Sequence, residues 1–238
     1  MIKLIIFDLD NTLAPINKQV PKEIINKLKK FESKGIRIAI ISGKPIYYLS
    51  GLSRQLGLQK LILSAENGAL IAYSNNFPPK YEVVVSLKSN EKKIIETLRV
   101  TLIKTYGDKI RFQHNFVNLT VFPRNKNLLK KVYESINQYL RTGKKNIFSI
   151  YVHPDSIEVV PYAISKGRAL KLIKSKLTIN RDEIIAIGDS EYDTSMQKEA
   201  IMIGIKLKNV DYEVLSLPDA ILQIETILKI KNSGLEDL

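Results

Sequence analysis

The sequence predicts an α/β protein in which a doubly wound, mostly parallel sheet is interrupted by a smaller α+β domain. Three observations carry this prediction. Short β-branched apolar runs alternate with amphipathic helical patterns near both ends of the chain, the pattern of a parallel sheet covered on both faces. The alternation stops at Ser74-Asn75-Asn76-Phe77-Pro78-Pro79, a linker composition, and resumes only after Pro161. Between the two lies a weak internal repeat, helix-strand-strand twice over, which is too short for a solenoid.

Taken in order, Ile2–Phe7 is a short apolar run ending in acids, as a buried central strand does. Pro21 opens a helix with Ile24, Ile25, Leu28 and Phe31 on one face, and Gly35 stops it. Ile36–Ile41 is a second buried strand. Ser42-Gly43-Lys44-Pro45 turns into a helix over Pro45–Leu56, Leu61–Leu63 is a third strand, and Glu66-Asn67-Gly68 is a tight turn into Ala69–Tyr73. In the insert, helices over Asn90–Thr105 and Lys126–Leu140 each precede a strand pair, in Ile110–Pro123 and Ile147–Pro161. Ser165 then caps a helix that runs to Lys176. Ile184–Ile187 and Ile201–Ile205 are strands, Leu222–Lys231 is a helix, and Asn232–Leu238 is a fraying tail. The expected division is a discontinuous core, 1–77 with 163–238, and an inserted domain, 78–162.

Composition narrows the chemistry. The 238 residues suffice for a sizeable core, and there is no cysteine. Disulfides, thiolate metal sites and a cysteine nucleophile are therefore excluded. Two histidines, His114 and His153, cannot build a multi-histidine zinc site; both fall in the hairpins of the insert and read as surface residues. A metal here must be held by oxygen, which points to Mg²⁺ or another hard cation. No apolar run approaches the ~18 residues of a membrane helix, and MIKLIIFDLD lacks a cleavage site, so a cytoplasmic protein with no membrane partner is expected.

The formal net charge is +13, which invites a nucleic-acid reading. The basic residues are scattered, however, 29 Lys against 8 Arg, with no basic arm or aromatic-basic motif, so no nucleic-acid partner is expected. The segment Pro78–Tyr162 carries 15 basic and 7 acidic side chains, and the rest of the chain 22 and 17. The insert is thus the more basic part per residue, a distribution suited to attracting a small anionic substrate.

Four polar signals sit at strand or helix termini, where ligands bind in open α/β sheets. They are Asp8-Leu9-Asp10-Asn11-Thr12, Ser42-Gly43-Lys44, Lys166, and Gly188-Asp189-Ser190-Glu191-Tyr192-Asp193. Each alone is ordinary turn or cap chemistry. Together they place several carboxylates in one region, where they repel unless a cation, a proton or a lysine compensates. A hard metal with an anionic substrate would do so, with Lys166 and the Ser42 hydroxyl on phosphate oxygens. The set suits phosphoryl transfer, where positioning and charge neutralisation dominate. A phosphoacceptor signalling domain also uses clustered Asp, Thr or Ser, and Lys; the Asp-x-Asp and the large insert argue against it.

These residues resemble a known family, the haloacid dehalogenase-like phosphohydrolases. FDLDNTL resembles its first motif, SGK its second, SKG its third and GDSEYD its fourth. The insert resembles the cap of the type IIB subclass, and the turn Ala65–Ala69 resembles a stretch found in that subclass. The resemblance implies a Rossmann-like core with an inserted cap. It implies Asp8 as nucleophile, forming an aspartyl-phosphate, and Asp10 as general acid and then base. It implies Thr12 orienting Asp10 on the substrate side of the site, and Ser42, Gly43 and Lys166 binding the phosphoryl group. Mg²⁺ would be held by Asp8, the Asp10 carbonyl and Asp189, with Asp193 a further ligand or a support behind them. The short cap resembles archaeal-type phosphoglycolate phosphatases, so the expected substrate is a small anionic phosphate ester such as 2-phosphoglycolate. Sucrose-phosphate, mannosyl-3-phosphoglycerate and broad Cof-type sugar phosphatases are the alternatives. Arg124 is a candidate partner for a substrate carboxylate, and a monomer or homodimer is expected.

Overall fold

The computed structural model describes residues 1–74, 76, 78–142 and 147–233. Asn75 and Phe77 of the expected linker, and 234–238 of the expected tail, lie outside the described residues. The chain divides into two compact units, one built from the segment up to Val84 and from Ser165 onward, the other from Val85–Ile164.

The larger unit opens with β1 (Leu4–Phe7), α1 (Lys22–Ser33), β2 (Arg37–Ile41), α2 (Ile46–Leu56), β3 (Ile62–Ala65), β4 (Leu70–Ala72) and β5 (Glu82–Val83). The smaller unit follows with α3 (Ser89–Tyr106), β6 (Ile110–Phe112), β7 (Leu119–Pro123), α4 (Leu129–Arg141), β8 (Phe148–Val152) and β9 (Ile157–Pro161). The larger unit resumes with α5 (Lys166–Leu177), β10 (Ile184–Gly188), β11 (Ile201–Ile205), β12 (Tyr212–Val214) and α6 (Leu217–Ser233).

The large sheet has the order β12-β11-β10-β1-β2-β3-β4-β5. It is parallel from β12 to β3, and β4 and β5 add antiparallel. β1 lies at its centre, with Phe7 opposite Ile40 on one side and Ile187 on the other. A strand covered on both faces cannot alternate polar and apolar residues, which is why all four residues of β1 are apolar and buried. Leu4, Ile6, Ala39, Ile41 and Ile62 pack with Ala169, Leu170 and Ile173 of α5. This packing seats the first turn of α5 by the carboxyl ends of the strands.

The smaller unit is a four-stranded antiparallel sheet, β6-β7-β9-β8, beneath α3 and α4. Its core alternates as a one-sided sheet should: Leu119, Val121, Ile157 and Val159 meet Leu98, Leu102, Val132 and Ile136. The two helix-strand-strand repeats join through their second strands, β7 and β9, so each contributes half of the sheet.

The structure departs from the expected boundaries at weak signals. β5 belongs to the large sheet, with Val83 opposite Leu70, so the larger unit extends beyond the Pro78 at which the insert was expected to begin. α6 starts at Leu217 rather than Leu222, with Pro218 in its first turn, where no N–H is required of it. Among the described residues no helix is long and apolar enough to cross a membrane.

Candidate active site

The site forms where β1, β2 and β10 end. β1 stops at Phe7, and the Asp8 N–H still donates to the Ile187 carbonyl at 2.9 Å, which carries Asp8 past the sheet edge in strand register. The chain then turns sharply, with Leu13 and Ala14 N–H groups both donating to the Leu9 carbonyl. Asn11 occupies the left-handed region, φ 62°, a conformation that asparagine tolerates better than most side chains.

Asp8 is buried, and its Oδ1 accepts from Lys166 Nζ at 2.6 Å. The same ammonium donates to Asp193 Oδ1 at 2.6 Å. Lys166 is the first residue of α5, and the Ser165 hydroxyl caps that helix by accepting from the Arg168 N–H. Gly167 makes the approach possible: a Cβ there would lie 2.1 Å from the Ser195 carbonyl oxygen.

Asp193 is fully buried in a 3-10 turn, Glu191–Met196. Its Oδ2 accepts from the N–H groups of Asp189 (3.1 Å) and Ser190 (3.0 Å) and from the Ser190 hydroxyl (2.7 Å). Asp189 Oδ1 accepts from the Thr12 hydroxyl at 2.7 Å. One carboxylate oxygen from each of Asp8, Asp189 and Asp193 lies within 4.8 Å of the others. Apart from these, Asp10 Oδ2 is 2.9 Å from Lys44 Nζ. Ser42 is buried just past β2, and its hydroxyl accepts from the Lys44 N–H at 3.3 Å.

Three converging carboxylates and one ammonium leave a negative excess. Burial pushes the Asp8 carboxyl up to about 7; the Lys166 charge pulls against this, and Asp193 adds to it. Burial likewise raises Asp189, against the pull of the Thr12 hydroxyl. Burial works against Asp193 too, but the Lys166 charge and the bonds from Lys166 and Ser190 hold it below the ordinary carboxylate range. Burial disfavours the Lys166 ammonium, yet Asp193 and Asp8 outweigh that and hold it above the ordinary lysine range. A cluster of hard oxygen donors that is short of positive charge fits a divalent cation.

A family model described as haloacid dehalogenase-like hydrolase matches residues 5–102 and 80–226. This chain is a haloacid dehalogenase-like hydrolase. A phosphoglycolate phosphatase from Staphylothermus marinus is 29% identical over 230 residues, covering 90% of this hydrolase and 88% of its own length. A 5-amino-6-(5-phospho-D-ribitylamino)uracil phosphatase from Bacillus subtilis is 28% identical over 225 residues, covering 87% and 84%. Among solved structures, a haloacid dehalogenase-like hydrolase from Bacteroides thetaiotaomicron superposes with a TM-score of 0.75 at 20% identity, over 97% of this chain and 100% of that one.

In this hydrolase the structure brings Asp8, Lys166, Asp189 and Asp193 together. It places one residue, Thr12, differently from the sequence expectation. The Thr12 hydroxyl is buried on Asp189, not on Asp10, and so orients a carboxylate of the cluster rather than facing a substrate. The Asp10 side chain stands with Lys44, outside the carboxylate cluster. His153 is partly exposed, as expected, with its Nε2 3.7 Å from the buried Glu158 carboxylate. Arg124 is exposed in the smaller unit. Sequence reasoning gave no role to Ser190. Its signal was present as a Ser-x-x-Asp capping box, Ser190 to Asp193.

Proposed function

We propose that this hydrolase cleaves phosphate monoesters by way of a phosphoryl-Asp8 intermediate, with Mg²⁺ as the divalent ion. The observation that carries the reading is the buried Asp8–Lys166–Asp193 triad beside Asp189. Lys166 orients Asp8 and neutralises part of the charge that an arriving phosphate brings. An Asp8 oxygen attacks phosphorus, the ester P–O bond breaks, and Asp10 gives its proton to the leaving alkoxide. Asp10 then takes a proton from water, whose oxygen attacks the phosphorus of phosphoryl-Asp8. Inorganic phosphate leaves and the Asp8 carboxylate is restored. The Ser42 hydroxyl and the Gly43 backbone bind phosphoryl oxygens. Asp8, Asp189, Asp193 and the Asp10 carbonyl would hold the cation, which supplies Lewis-acid charge at the transferring group.

The substrate proposed first is a small anionic ester such as 2-phosphoglycolate, in line with the names of the relatives from Staphylothermus marinus and Methanoculleus marisnigri. A larger polyhydroxylated phosphate ester is the second reading, supported by the ribitylamino compound in the name of the Bacillus subtilis relative. Hydrolysis of p-nitrophenyl phosphate with and without Mg²⁺, followed by a panel of natural phosphomonoesters, tests both. Release of phosphate from none of them overturns the hydrolytic reading. A preference for polyol phosphates over phosphoglycolate replaces the first substrate by the second.

A further inference from the structure

Beside Ser42 the chain makes a turn to which the proposed chemistry gives no task. Glu66, Asn67 and Gly68 are consecutive residues with φ of 51°, 56° and 107°. Left-handed backbone is disfavoured for residues other than glycine, and it persists where the surroundings over-determine it. Here the surroundings are two pieces of the site. On one side, the Glu66 N–H donates to the Lys44 carbonyl at 3.1 Å, and the Asn67 N–H donates to the Ser42 carbonyl at 2.9 Å. With both residues left-handed, neighbouring N–H groups reach carbonyls that flank Gly43. On the other side, Gly68 lies against the first turn of α5. A Cβ on Gly68 would come within 2.5 Å of Ala169 Cβ and 3.2 Å of the Ser165 carbonyl oxygen. Ser165 immediately precedes Lys166.

We infer that the Glu66–Gly68 turn is a positioning element that sets the spacing between the Ser42 loop and Lys166. This rests on the reading of that loop and that lysine as the phosphoryl-binding groups. The turn acts by gripping the loop through two backbone hydrogen bonds and by fitting without a side chain against the start of the helix. A group that must be held to a fraction of an ångström needs such support, because displacement by about 1 Å at a reacting centre costs on the order of a hundredfold in rate.

Inorganic phosphate with Mg²⁺, titrated by calorimetry, is the probe, with kcat and KM for p-nitrophenyl phosphate measured beside it. Gly68→Ala drives a methyl into the Ala169 contact. Phosphate affinity and kcat are each expected to fall about tenfold or more. Gly68→Ala/Ala169→Gly removes the methyl that was met. Phosphate affinity is expected to recover about threefold or more, although glycine within α5 lowers the thermal midpoint further. Affinity rising while stability falls is a result that a merely structural turn does not produce. Unchanged phosphate affinity in a folded Gly68→Ala protein overturns the inference, as does a double variant whose affinity follows its stability down. If Gly68→Ala does not fold, Asn67→Val and Asn67→Gly decide. Valine opposes the positive φ and is expected to weaken phosphate binding about fivefold, whereas glycine permits it and should stay within about twofold of the wild type. Equal behaviour of these two overturns the inference. A wild-type protein that binds phosphate but hydrolyses no ester refutes the hydrolytic reading alone, and one that hydrolyses esters while Gly68→Ala leaves its phosphate affinity unchanged overturns the inference alone.

Discussion

Lys166 donates to two carboxylates that do not receive equal support. Asp193 is also held by two backbone N–H groups and the Ser190 hydroxyl, so it is the settled anion of the pair. Asp8 is the group whose fold favours the proton, its carboxyl standing at about 7 against about 3.9 in an unfolded chain. The stabilisation tied to that proton is complete below the unfolded value and is lost as pH rises through about 7. In EDTA the thermal midpoint should therefore fall between about pH 4 and about pH 7, the window set by these two values. Mg²⁺ or Asp8→Asn should flatten the profile, and a flat profile for the wild type in EDTA would count against a charge-starved site. Asp8→Asn should also lower turnover by at least about 1,000-fold with an unchanged circular dichroism spectrum. Near wild-type rates, with deamidation excluded by mass spectrometry, would remove Asp8 from the nucleophile's role. EDTA should abolish turnover, and Asp189→Ala should weaken the apparent Mg²⁺ affinity by about tenfold or more. Full activity in metal-free buffer refutes both expectations.

At the scale of elements, legibility follows burial. β1, β2 and β10 were readable because strands buried on both faces must be apolar throughout. β5 and β12 were not: Glu82-Val83 and Tyr212-Glu213-Val214 are short and largely exposed, and the large sheet defines them through backbone bonds that leave no pattern in side-chain type. The site divides in the same way. Asp8, Asp189, Asp193 and Lys166 stand at element ends that the sequence marks. The Thr12–Asp189 bond spans 177 positions and could not be read from either residue. Gly167 shows how an element end is tuned. Gly167→Ala should force the start of α5 away from Ser195, costing about 1–3 kcal/mol of stability. It should also reduce kcat more than the loss of folded fraction explains. Calorimetric unfolding with kinetics on the folded fraction checks this, and a variant of normal stability shows that the helix has room to shift.

For the whole molecule, the positive charge is unevenly shared, with a net +8 in the segment 78–162 and +5 in all the rest. If this distribution draws in anions, kcat/KM for phosphoglycolate should decline with added salt more steeply than for a phosphomonoester lacking a second acid group. Screening acts on that scale, with a Debye length of ~10 Å at 0.1 M salt. Identical salt dependence for the two esters leaves the charge with no part in capture. The threading of the chain has another consequence, in time. β1 is flanked by β2, complete at Ile41, and by β10, complete only at Gly188. At ribosomal speeds of roughly 5–20 residues per second, one edge of β1 waits for about seven to thirty seconds after β2 is complete with its N–H and C=O groups bare. The smaller unit is translated in one stretch during that wait and has every strand it needs before β10 exists. The unit that holds the Asp8–Lys166 cluster is thus the one whose synthesis leaves an apolar strand open longest to pairing with a neighbouring nascent chain.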